Sequence, residues 1–214
     1  MTSRSFTTLF VSIGYPVALH ITILLKKPAI GFMVMLAVLA VHLMFIILGL
    51  RKSTYIKVCL GITLLAPFFI LVYVARTFGS AYPLFIPPLV INAFLFVFFI
   101  RTLLPGHTPL ISSISKVMHD KSLPELDRYT RKLTLIWSLF FAVMFLESLL
   151  LSIFAPLEVW SLFTNILNYI FILLLVVGEY VFRIYYFPDI KHSSPIRVII
   201  HMVKHGFVSS MRAK

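Results

Sequence analysis

Residues 123–154 read LPELDRYTRKLTLIWSLFFAVMFLESLLLSIF, a charged opening that passes without a break into an apolar run. The run over 133–154 has the length a helix needs to cross roughly 30 Å of hydrocarbon. Charged residues make up only 12% of the chain, so their crowding into LPELDRYTRKLT marks the point where the chain meets a membrane face. That reading decides the fold class: all-α, a polytopic helical membrane protein. Lipid offers backbone groups no partner, so spanning segments must be helices or a closed barrel. The two-residue alternation of barrel strands is absent.

Composition points the same way. Hydrophobic residues make up 60% of the 214, and the mean hydropathy is +1.02, which leaves too little polar surface to coat a water-soluble globule. The sequence predicts about six transmembrane helices, at 7–25, 29–50, 55–75, 82–100, 133–154 and 159–182. The first lacks the small-residue cleavage site of a signal peptide; Pro16 and His20 interrupt it and KKP at 26–28 follows it, so an uncleaved span is expected. The organisation that follows is four helices over 1–104, a loop with an interfacial helix over 105–132, a helical hairpin over 133–183 and a basic amphipathic tail over 184–214. Pro16, Pro67, Pro87 and Pro88 fall in the first four spans and none in the last two, so the first four are expected to bend more readily. No internal repeat relates the halves.

Charge sets the orientation. Of the 19 Lys and Arg residues, all but Lys26, Lys27 and Arg76 lie in the N-terminus, the 51–57 loop, the 101–132 loop or beyond the last span at 182. Those segments share one side if the chain crosses six times, and the positive-inside rule then puts both termini in the cytoplasm. The net charge of +12 accordingly reads as cytoplasmic loops against anionic membrane lipids, and no nucleic-acid role is expected.

Two cytoplasmic segments look amphipathic. In PGHTPLISSISKVMHDKS (105–122), Leu110, Ile111, Ile114, Val117 and Met118 share a face, with Ser112, Ser113, Ser115, Lys116 and His119 opposite. In the tail, Ile196, Ile199, Ile200 and Val203 oppose Arg197, His201 and Lys204, a pattern suited to an anionic leaflet. Between them, Ser122 and Glu125 form a capping box with Pro124 in the first turn, which predicts a helix running straight into the fifth span. Glu125 with Arg128 and Asp127 with Arg131 have spacings that allow ion pairs, and such pairs would make the segment merely a solubilised helix start. The alternative is a binding patch: Arg128, Tyr129, Arg131 and Lys132 could hold a phosphate, a carboxylate or an acidic partner.

Ionisable groups inside spans are functional candidates because burying them is costly. Glu147, His20 and His42 lie well inside, and Glu179 near the end of the sixth span. Asn165, Asn168 and Glu179 would share one stripe of a regular helix. The structural alternatives are interhelical hydrogen bonds for the asparagines, a carbonyl partner for each histidine and an ion pair between Glu179 and Arg183. HExxH, Walker A, GxSxG, Asp-rich and HxxxxD signatures are missing, and Cys59 is the one cysteine. No metal site, disulfide or cofactor is therefore expected, and any catalysis would come from scattered residues.

The segments PGHTPLI, LPELDRYTRKLT, IWSLFFAVMF, FAPLEVWSLFTNILNY and GEYVFRIYYFP, in that order between about 103 and 190, resemble a family of small, uncharacterised bacterial inner-membrane proteins. That family is associated with aryl-polyene and xanthomonadin-like biosynthetic clusters, which resemble fatty-acid synthase systems. The resemblance implies a multi-pass accessory to the synthesis or handling of a lipid-like product, with an acyl carrier protein or other biosynthetic proteins as candidate partners. It assigns no catalytic residues, and Ser112 and Ser113 stand where the family pattern leads one to expect a basic residue. Two other functions stay open: a small transporter or flippase lined by Glu147 and the Asn165–Asn168–Glu179 stripe, and a membrane transferase using His20 or His42 with Glu147.

Overall fold

The computed structural model describes residues 3–49, 54–118 and 124–186. These form eight α-helices, with no strand among the described residues: α1 Ser3–Leu24, α2 Pro28–Gly49, α3 Thr54–Phe78, α4 Tyr82–Arg101, α5 Leu110–Met118, α6 Pro124–Phe154, α7 Leu157–Leu162 and α8 Asn168–Tyr186. Three stretches are long and apolar enough to cross a membrane: Tyr82–Arg101, Glu125–Phe154 and Leu157–Tyr186. The described apolar portions of the first three helices, Gly14–Leu24, Pro28–Met44 and Leu65–Phe78, are shorter than a full crossing. The capping serine at 122 and the basic tail lie outside the described residues.

Helix α6 is a single 31-residue helix, because nothing in LPELDRYTRKLT after Pro124 breaks it and Pro is tolerated in a first turn. Its faces are those of a protein in lipid. Leu139, Val143, Leu146, Leu150 and Ile153 form an exposed stripe, whereas Thr130, Thr134, Ser138 and Ser148 are buried with Phe141 and Met144. In water the apolar stripe would be hidden and the hydroxyls exposed. In a bilayer small polar residues mediate helix contacts and apolar residues face the chains.

The segment expected as a sixth span departs from a regular helix. A regular helix was expected over 159–182, but a π-helical turn at Phe163–Leu167 separates α7 from α8. FTNIL contains neither Gly nor Pro, but Thr164 within it donates its hydroxyl to the Trp160 carbonyl at 2.9 Å, a back-bond that competes with the regular helical ladder. The turn also alters the register assumed when Asn165, Asn168 and Glu179 were placed on one stripe.

The chain divides into two compact units. The first comprises Met1–Leu89 and Ser148–Asn168; its core gathers Leu19, Ile23, Phe32, Met35, Leu71, Leu84 and Trp160. Trp160 is fully buried, and its ring stands edge-on to Phe85 with centroids 4.7 Å apart. Helices α1 and α2 are joined by a tight reversal. Lys27 N–H donates to the Thr22 carbonyl at 2.9 Å and Lys26 N–H to that of Ile23 at 2.8 Å, with Lys26 left-handed at φ 57°. This is the Schellman ending, with lysine where glycine is usual, and Pro28 then starts α2. The second unit comprises Val90–Glu147 and Tyr169–Lys214; Phe99, Trp137 and Phe141 form an aromatic cluster within it.

Candidate functional site

In the second unit, the first turns of α6 carry the charged residues singled out in the sequence, and their two buried neighbours decide where the charges point. Thr130 is buried against α5, its hydroxyl 2.6 Å from that of Ser112. One turn on, the Thr134 hydroxyl accepts the Ile111 N–H at 3.3 Å, and Thr102 accepts the Leu110 N–H at 3.1 Å. The first two N–H groups of α5, which no helical carbonyl can reach, thus find side-chain oxygens. This corrects the expectation for Ser112: it sits 2% exposed against α6 and not on a polar outer face. A long basic side chain there would displace the contact.

Tyr129 turns toward α8. Its hydroxyl donates to Glu179 Oε1 at 3.1 Å, and its ring stacks on Phe182 at 5.9 Å and 14°. Glu179 Oε2 pairs with Arg183 Nη2 at 3.0 Å, the ion pair the spacing suggested. Arg131 does not pair with Asp127; its Nη2 donates instead to the Leu103 carbonyl at 2.9 Å, beyond the end of α4. Glu125, Arg128, Arg131 and Lys132 remain exposed. The four residues of the proposed patch therefore divide: Tyr129 belongs to the α8 contact, and Arg128, Arg131 and Lys132 form an outward cationic surface. Arg101 and His107 in the same unit are also exposed, so among the described residues basic groups predominate here over Glu125 and the half-buried Asp127.

The first unit holds a second polar group, and it is buried. His20 Nδ1 and the Ser161 hydroxyl lie 3.0 Å apart, and Asn165 Nδ2 donates to the same hydroxyl oxygen at 3.0 Å. The Ser161 oxygen accepts from Asn165, and its contact with Nδ1 runs in the direction that the imidazole tautomer sets. The π turn carries Asn165, which lies four residues beyond Ser161 on α7. Thr164 and Asn168 are buried in the same unit. His42 is separate from this group: its Nδ1–H donates to the Val38 carbonyl at 2.8 Å on its own helix. Both oxygens of Glu147, in the second unit, are closed to solvent.

The hydroxyl groups that hold these clusters together, Ser112, Thr130, Thr134 and Ser161, were not among the sequence candidates. Their only signal was a four-residue spacing, as in Thr130–Thr134 and Ser161–Asn165, within otherwise apolar helices. Among the described residues no group of His, Cys, Asp and Glu could hold a metal ion. No protein-family model, curated protein or solved structure matches the chain.

Proposed function

We propose that the chain is a six-span inner-membrane accessory protein with both termini in the cytoplasm. On this reading it docks an acidic, acyl-bearing partner such as an acyl carrier protein at its cytoplasmic face, in the synthesis or handling of a lipid-like product. The supporting observation is the fixed setting of the first turns of α6. Thr130 is bonded to Ser112 and Tyr129 to Glu179, so rotation of the helix is resisted and Arg128, Arg131 and Lys132 are left outward. A rigid basic surface attracts an acidic partner over a distance and fixes its orientation on arrival. The resemblance of residues 103–190 to proteins of acyl-synthesis clusters supplies the partner's class.

The test uses Arg128→Glu with Lys132→Glu, two exposed side chains with no structural bond among the described residues. Retention of the full-length protein on an immobilised acyl carrier protein should be lost in this variant and should fall with rising salt in the wild type. Unchanged retention would refute the reading.

A further inference from the structure

We propose that Arg183, near the end of α8, holds a phosphate oxygen, supplied either by an anionic lipid headgroup or by free phosphate. Nε–H and Nη2–H lie along one edge of a guanidinium, the edge that grips a carboxylate through both oxygens. Here Glu179 gives that edge one oxygen only, Oε2 to Nη2 at 3.0 Å. Its other oxygen is held by Tyr129 at 3.1 Å. Arg183 Nε is consequently closed to water and has no hydrogen-bond partner among the described residues. A cationic N–H shut away from water and, among the described residues, from any acceptor is costly, and a phosphate oxygen would relieve that cost.

The surroundings fit a phosphate at the membrane surface. Arg183 is the basic residue of the last turn of α8, at one end of the apolar stretch Leu157–Tyr186. Its side chain keeps 19% exposure, so the residue is not sealed off from the surface. The Tyr180 ring lies 5.9 Å from its carbon, and Phe182 and Tyr186 stack beside it at 5.3 Å, both exposed. Exposed aromatic rings at a helix end are typical of the headgroup level. This site is distinct from the Arg128–Lys132 surface and does not depend on an acidic protein docking there.

The full-length protein in detergent would be titrated with phosphatidylglycerol, with diacylglycerol as the control lacking phosphate, and followed by native mass spectrometry. A discrete one-lipid adduct is expected with phosphatidylglycerol alone. Arg183→Lys keeps the charge but removes the fork, and should weaken binding by about tenfold. Tyr129→Phe alters no charge, yet it releases Glu179 Oε1 to close on Nε, so it should weaken binding in the same direction. Displacement of the lipid by inorganic phosphate would assign the slot to free phosphate, and resistance to displacement would assign it to the lipid. Equal binding of diacylglycerol, or affinity unchanged in both variants, would overturn the proposal. If neither variant folds, the wild type decides: absence of both a lipid adduct and a phosphate effect overturns it.

Discussion

Lys26 is the residue whose backbone is least suited to its side chain. A left-handed conformation brings Cβ against the carbonyl oxygen, a cost of about 1–2 kcal/mol that glycine does not incur. Lys26→Gly should therefore raise the unfolding free energy in detergent by about 1 kcal/mol; a neutral or negative effect would show that the lysine side chain offsets the strain. The sequence marked KKP as the end of the first span, but it could not show that lysine occupies the left-handed position, since lysine has no preference for it. Single-residue legibility was uneven elsewhere too. His42 has the carbonyl partner expected of a lone membrane histidine, and Glu179 has its Arg183. Ser161 was invisible, because its role depends on His20, which is 141 residues away.

Among the elements, α5 shows how a short helix can be fixed without much apolar burial. Its start is tied to α6 and to the end of α4 by hydroxyl groups, and Ser112 is the second contact to α6. Thr130→Val keeps the shape of the residue but removes the acceptor and donor facing Ser112. Amide exchange over 110–118 should then accelerate by about tenfold, with the rest of α6 unchanged; equal protection would mean that Leu110 holds the helix unaided. The periodicity of 105–122 pointed to a helix, and Leu110–Met118 is one, but it placed Ser112 with Ser113 and Ser115 on an outer polar face. An alternation of apolar and hydroxyl residues has the same pattern whether the hydroxyls meet water or another helix. The π turn was illegible because FTNIL is an ordinary helical string, and a threonine that bonds the carbonyl one turn back has the same letters as one that does not.

Across the whole molecule, the strongest inference from sequence was the class of environment, and the exposed apolar stripe of α6 with its buried hydroxyls bears this out. Sidedness is a separate matter, resting on the distribution of Lys and Arg. A variant with Cys59→Ser and Arg128→Cys carries one thiol at the start of α6. A membrane-impermeant maleimide should modify it in inverted vesicles and not in intact cells; the reverse would turn the proposed topology inside out. The polar clusters were only half legible because ionisable residues stand out in apolar text, whereas the neutral groups that position them do not. The chain's two tryptophans are divided between its compact units: Trp160 fully enclosed beside Phe85 in one, Trp137 among phenylalanines in the other. Each unit thus carries its own built-in fluorophore, and replacing either indole with phenylalanine would leave emission from one unit alone, allowing loosening of the two to be timed separately in the same preparation.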